Sequence, residues 1–388
     1  MFESYDFVVI GAGIAGAVVA ERLAQSGGFS ILVLEASCSA GGLLRSDRDH
    51  LTGIKYPIYG SRALYSDDET VIKYLMNFGS FVPYEHRVRA RINDRNFVVP
   101  INLETINQAL GTSFDAEEAK AFVKDDIESS AITQGTLEEA AVTSIGRSLY
   151  EMFVRGFLTK QLGADPAILS DDAFNARFPI RFDNEDRFVP AAKWQMLPKN
   201  GFDDLIDQLL ASSRIDVRFD VGADSFATAK RLSRIGVVHS GSVDALFNQQ
   251  FGPLEYGENI VCWKHSKPAD VQHFPVVTYP DFETPYFRTH APAYLPNSMA
   301  DPKAEKILVG YEMSANAAIP DFLSGCPAYR YRYLAKSLEN KRRHAVYTSL
   351  VSEMSGVYAL GRHMIPSPNI GASVGIALET VERIRHSV

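Results

Sequence analysis

Unbroken apolar runs at 7–10 (FVVI) and 31–34 (ILVL) flank IAGAVVAERLAQS, a segment whose apolar positions recur at helical spacing. Continuous runs of this length suit strands buried on both faces, with the intervening helix packed against them. The first strand joins the helix through GAGIAG, so Gly11, Gly13 and Gly16 form G-x-G-x-x-G, with Ile14 and Ala15 inside it. In that position the glycines serve a tight turn, a close backbone approach to a pyrophosphate, and tight helix–strand packing. The helix start adds unpaired N–H groups and partial positive charge. Glu35, followed by Ala36, closes the second strand about 20 residues further on, where an acceptor for ribose hydroxyls is expected. The pattern predicts a β-α-β unit that binds a dinucleotide.

Downstream the period changes several times. A short helix is expected at 70–78, and RVRARI (87–92) and NFVVPI (96–101) read as a hairpin around Asn93-Asp94. From Leu103 to about Leu162 the spacing is helical, with Thr136 and Glu139 placed as a capping box. Residues 163–200 read as irregular chain crossing a cleft, and Gly201–Leu210 as an amphipathic helix. DVRFDV (216–221, ending at Val221) and IGVVHSG (235–241) read as strands, and alternating short strands are expected over 258–315. The tail gives an apolar strand, Gly361-Arg362, a proline-rich turn, and a terminal helix opening at Gly371-Ala372.

A nicotinamide site needs little beyond its acidic residue. Here a second glycine pair, Gly41-Gly42, then Leu43 and an arginine, extend the unit, and the tail returns to it. Both features suit the longer FAD. The expected fold is α/β: an FAD-binding Rossmann-type domain (1–86, 200–245 and 350–388), an inserted helical domain (103–170), and an antiparallel β-sheet domain (87–102, 171–199 and 246–349).

The 388-residue length suits two or three domains. A net charge of −8 argues against a nucleic-acid partner. Three scattered cysteines and no histidine pairing of zinc type argue against a metal and for reduced thiols. No apolar stretch reaches the roughly 20 residues of a membrane span, and the first run lacks the basic flank of a signal peptide. A soluble cytoplasmic protein is the expectation; association with further copies of itself stays open.

Taken in order, several segments resemble the UDP-galactopyranose mutase family. They are the phosphate loop with Glu35; Tyr59-Gly60-Ser61; VVPINLETINQALG (98–111); LYEMFVRGFLTKQLG (149–163); RFPIRF (177–182); QFGPLEYG (250–257); TPYFR (284–288); and Gly361-Arg362. The resemblance spans nearly the whole chain. It implies a flavin that must be reduced and whose N5 attacks the sugar's anomeric carbon, opening a route between pyranose and furanose without net redox. It also implies a nucleotide-diphosphate sugar as substrate, with Arg181 and Arg288 gripping the diphosphate. Asn102 falls at a substrate-contacting amide, although by itself it reads as a helix cap. Phe157 and Trp194 fall near the nucleotide base, although either reads equally as core. Tyr329, in CPAYRY, falls near the diphosphate.

The departures bear on the substrate. Where the family carries two histidines after Tyr-Gly, this chain has Arg62 and Tyr65. A permanently charged guanidinium there favours either an anionic flavin or a substrate carboxylate. Leu162 replaces a tryptophan, and IPSPNIGAS (365–373) replaces a tyrosine-rich turn. Ring contraction of a nucleotide sugar other than UDP-galactose is therefore expected, with Arg62, Arg181 and Arg288 as its catalytic cations. A second reading, from another class, is an amine-oxidase-like oxidoreductase in which FAD accepts a hydride. A third is a flavin-binding relative without activity.

Overall fold

The computed structural model describes residues 4–171, 178–222, 225–271, 273–301, 304–361, 364 and 369–387. Strands are numbered along the chain. β1 (Tyr5–Ile10), β2 (Ile31–Leu34), β10 (Ile215–Arg218), β11 (Ser233–His239) and β17 (Val357–Ala359) form one parallel sheet in the order β10-β2-β1-β11-β17. Helix α1 (Ile14–Ser26) and the helices Phe202–Leu210 and Ile370–Ser387 share one apolar core with this sheet. The other face of the sheet packs against the helix Ser225–Leu232 through Ala229, which explains why β1 and β2 carry no polar alternation. The ligand side of such a sheet is the carboxyl end of its strands.

The second sheet has seven strands: β16 (Ala328–Leu334), β12 (Tyr256–Ser266), β15 (Ile307–Ser314), β14 (Arg288–His290), β13 (Val276–Thr278), β7 (Val88–Ile92) and β8 (Arg95–Val99), in that order. All its neighbours are antiparallel except β13 and β7. The expected hairpin is β7–β8, with Asn93 and Asp94 at φ 46° and 63°, as a two-residue turn matching the sheet twist requires. Helices between Leu103 and Leu162 pack on it through Ile106, Val142, Leu149 and Phe153 against Ala90 and Phe97. The last of them contains a π-helical turn at Glu151–Arg155, just before Phe157.

Three local expectations need correction. Residues 163–200 are not wholly irregular: β9 (Trp194–Pro198) lies between β5 (Leu64–Ser66) and β6 (Phe81–Pro83). Met196 and Leu197 thereby join the core of the parallel-sheet region, so β9 packs with the first domain, while Phe178, Ile180 and Phe182 stay on the core beneath the antiparallel sheet and Asp186 pairs with Arg89 of β7. The run 258–315 contains two long strands, β12 and β15, paired residue for residue from Asn259–Ser314 to Ser266–Ile307. Thr136 caps its helix through Glu139 N–H, but the Glu139 carboxylate accepts from Gly135 N–H, so the reciprocal box is incomplete. The full box stands at Asp115 and Glu118.

Candidate active site

A cleft of about 560 Å³ begins at the glycine loop and runs between the two sheets. Its first half is backbone. A Cβ on Gly16 would lie 2.0 Å from Gly11 O, so the α1 start can press onto the loop only as glycine. A Cβ on Gly13 would meet nothing within 4 Å; that space belongs to the cleft. Gly13 is also the N-cap and provides no side-chain acceptor, which leaves the first N–H groups of α1 free for phosphate oxygens. Glu35 lines the same space, its carboxylate accepting from Ala12 N–H (2.7 Å) and Ser37 N–H (2.9 Å). Gly41 N–H donates to Ala12 O (2.9 Å), docking the second glycine pair on the first loop, and Gly42 and Leu43 line the cleft. The helix Ile370–Ser387 opens on the cleft through Asn369, Ile370 and Ser373, with Asn369 accepting from Ala372 N–H.

The inner half is made of side chains. Glu312, on β15, is fully buried; it accepts from Arg288 (3.1 Å), from His290 (2.9 Å) and from the Tyr331 hydroxyl. Burial alone would raise its carboxyl, yet the Arg288 guanidinium and the His290 hydrogen bond hold it well below the usual carboxylate range. Ser61 N–H donates to His290 Nδ1 (3.1 Å), so the ring proton sits on Nε2 and faces Glu312. Burial lowers the His290 pKa, outweighing the carboxylate, and the ring is neutral. A side chain on Gly60 would fall 2.5 Å from that ring, so only glycine fits this turn. Tyr331 is pushed up to about 12 by burial and by Glu312. Because its hydroxyl donates to Glu312, it accepts from Asn259 Nδ2 (3.0 Å), which fixes the amide and leaves the buried Asn259 Oδ1 without a partner in the cleft wall. His86 is pushed down to about 4 by burial, with the Arg288 and Arg62 guanidiniums close enough to repel its proton.

Arg62 also lines the cleft. Among the described residues it donates only to its neighbour's carbonyl, Ser61 O (3.2 Å), and it lies 5.8 Å from the Tyr331 ring centre. Arg288 lines the cleft with Gln161 and Tyr333, its guanidinium 5.7 Å from the Phe157 ring. Glu312 pairs with Arg288, and among the described residues Arg62 has no carboxylate within ion-pair distance.

Not every expected site residue gathers here. Gly11, Gly13, Ile14, Ala15, Gly16, Glu35, Gly42, Leu43, Arg62, Arg288 and Gly361 line the cleft, with Phe157 against Arg288. Val221 N–H donates to Glu35 O (3.0 Å), and Tyr59 lies buried beneath, edge-on to Tyr331 at 6.1 Å. Tyr65 pairs with Gln195 across β5–β9, while Gly371 packs on Tyr65 O. Arg181 is not in the cleft lining: its guanidinium donates to the carbonyls of Arg187 (2.7 Å) and Phe188 (3.3 Å) in its own loop. Asn102 is fully buried; it caps its helix through Thr105 N–H (2.9 Å) and donates to Glu185 O (3.3 Å), so both ends of the amide are spent on structure. Trp194 packs on the first core beneath Lys193. Tyr329 points to Tyr56 and Asp47, away from the lining. Arg362 lies outside the described residues.

Glu312, His290, His86, Tyr331, Tyr333 and Asn259 were not expected. The one available signal was AYRYRYL (328–334), whose alternation places Tyr329, Tyr331 and Tyr333 on one face of a strand. The other four are single polar residues in apolar strands or beside them.

These features define a class: a Rossmann-type dinucleotide-binding protein whose cleft continues into a cationic chamber walled by a second, antiparallel sheet. The UDP-galactopyranose mutase family model matches residues 152–364, and a model of the NAD(P)-binding Rossmann-like domain matches residues 9–78. The chain is 31% identical over 283 residues to a probable UDP-galactopyranose mutase of Klebsiella pneumoniae, covering 73% of this chain and 72% of that one. It is 29% identical over 286 residues to a dTDP-fucopyranose mutase of Escherichia coli, covering 72% and 74%. The crystal structure of a reduced UDP-galactopyranose mutase superposes over 99% of this chain and 96% of that one, with TM-score 0.72 and 16% identity. A putative protoporphyrinogen oxidase from Exiguobacterium superposes with TM-score 0.61 at 12% identity, a likeness of fold alone. The chain belongs to the UDP-galactopyranose mutase family.

Proposed function

We propose that this member of the family binds FAD along the cleft and interconverts the pyranose and furanose forms of a nucleotide-linked sugar other than UDP-galactose. The observation that carries this reading is the continuity of one cleft from the glycine loop to Arg62 and Arg288. The residues present fit the cofactor: Gly13 leaves open space for a diphosphate, and Asn259 Oδ1 is a buried acceptor awaiting a donor. The glycine loop and α1 would hold the diphosphate and Glu35 the ribose. When bound and reduced, the flavin supplies the nucleophile for the anomeric carbon.

The chain's own part is electrostatic. Arg288 is anchored on one edge by Glu312 and supported by Phe157, leaving its remaining donors to meet the charge that gathers on a departing nucleoside diphosphate. Neutral His290 fixes the Glu312 carboxylate without competing for that anion. Arg62 and Tyr65 at the positions of the family histidines, Leu162 for a tryptophan, and the altered turn at 365–373 support a different sugar or base. The relative named for dTDP-fucopyranose supports the same view.

The test is purification followed by dithionite reduction and incubation with UDP, GDP, dTDP, CDP and ADP sugars. A yellow protein that forms a furanose isomer of one of them, only when reduced and without consuming oxygen, is expected. A protein that takes up no flavin, or that consumes oxygen steadily and releases peroxide, defeats the proposal.

A further inference from the structure

Arg62 has no carboxylate partner among the described residues. Its hydrogen bond goes to Ser61 O, and the nearest buried acid, Glu312, is already occupied by Arg288, His290 and Tyr331. A half-buried guanidinium without a counter-ion is costly unless a ligand provides one. The neighbouring groups do not: His86 and His290 are neutral, and Arg288 adds like charge.

Arg288 sits on the Phe157, Gln161 and Tyr333 side of the cleft. Arg62 and Leu44 both line the cleft, and these two residues also wall a second cavity of about 320 Å³, bounded by Pro57, Leu197 and Leu295. Leu44 ends the short helical turn Gly42–Leu44, which docks on the phosphate loop through Gly41. Arg62 therefore shares the cleft wall with the turn that docks on the phosphate loop, while its guanidinium also lies over Tyr331.

We infer that Arg62 is the counter-charge to the reduced cofactor: it favours two-electron-reduced FAD in its anionic form and so keeps the flavin reduced. Reduction adds two electrons and one proton at N5, which leaves the negative charge around N1, and a fixed nearby cation stabilises that product over the neutral oxidised ring. A guanidinium does this at any working pH, whereas a histidine would do it only when protonated.

The inference rests on the FAD reading above, and its main measurement needs no nucleotide sugar. Reduction potentials of the wild-type holoprotein, Arg62→Lys and Arg62→Gln are measured against reference dyes from acid to alkaline pH, with flavin content and thermal melting recorded alongside. In Arg62→Gln the reduction equilibrium should fall tenfold or more, about 30 mV for a two-electron couple, while Arg62→Lys stays within about threefold of wild type. The break in the potential–pH plot that marks protonation of the reduced ring should lie below that of free FAD in wild type and rise in Arg62→Gln. A wild-type break coinciding with that of free FAD overturns the inference even if Arg62→Gln does not fold. An unchanged potential in Arg62→Gln, combined with loss of affinity for a nucleotide sugar or a sugar carboxylate, overturns it in favour of a substrate contact. A colourless wild-type protein overturns both this and the FAD reading; a yellow one with an unshifted break overturns this alone.

Discussion

The two halves of the cleft are built in opposite ways. The outer half, from Gly11 to Gly42, is one contiguous stretch whose working groups, the Glu35 carboxylate apart, are main-chain N–H donors and vacated Cβ positions. The inner half draws Arg62, Asn259, Arg288, His290, Glu312 and Tyr331 from four strands and one loop, and its working groups are side chains ordered around one buried carboxylate; His86, bonded to Tyr84, lies near enough to feel the two guanidiniums. The contrast teaches where robustness lies. A backbone cradle depends on chain geometry and loses function when a side chain is added. A side-chain network depends on each member and loses function when one is removed.

Removing the hub should have the largest effect. Glu312→Gln leaves Arg288 without its counter-ion and Tyr331 and His290 with a poorer acceptor. Urea unfolding should show a loss of about 3–5 kcal/mol; a loss below about 1 kcal/mol would mean that the inner half does not hang on this carboxylate. Arg288→Ala should lower kcat on the order of 10²–10³ while folding is retained, as for removal of a donor that meets developing negative charge. A near-normal kcat would place diphosphate binding elsewhere.

His86 gives the network a pH signature. Its folded-state pKa of about 4 lies below the unfolded value, so between about 6.5 and 4 only the unfolded chain takes up the proton. Its contribution is complete above about pH 6.5 and is lost as pH falls through 4. The stability difference between wild type and His86→Asn should therefore change by about 1–3 kcal/mol across that window and stay flat from pH 7 to 8. In the cradle, Gly13→Ala adds a methyl into open space, so melting should hardly move while flavin affinity falls about tenfold, roughly 1.4 kcal/mol. Equal affinity would show that nothing approaches the backbone there. Smallest of all, Arg181→Ala removes bonds to loop carbonyls, costing about 1 kcal/mol of stability and less than tenfold in kcat. A loss as large as that of Arg288→Ala would show that the loop carries Arg181 to the substrate.

The same contrast governs what could be read from the sequence. The β-α-β unit, the Asn93-Asp94 turn and the strands DVRFDV and IGVVHSG carry local signals, because each depends on spacing within a few residues. Arg288 and Arg62 were legible through family likeness, and their residue types survive relocation because a guanidinium works wherever it points into a cleft. Asn102, Trp194 and Tyr329 were placed by the same likeness, yet their atoms are occupied by a helix cap, a core and a hydroxyl pair. Glu312 carried no signal at all. A lone acid in ILVGYEMS reads as a strand's solvent face, and only its burial against β14 and β16 changes its meaning.

The sequence by itself determined the dinucleotide loop, the return of the tail to it, and membership of a family, since these rest on local geometry and on order along the chain. The tertiary structure alone decided that Glu312 is a shared anchor, that His86 and His290 are neutral, and that Arg62 has no carboxylate partner among the described residues. Each of these follows from desolvation and from distances between residues that lie up to about 250 positions apart, quantities that no local pattern of residue types contains.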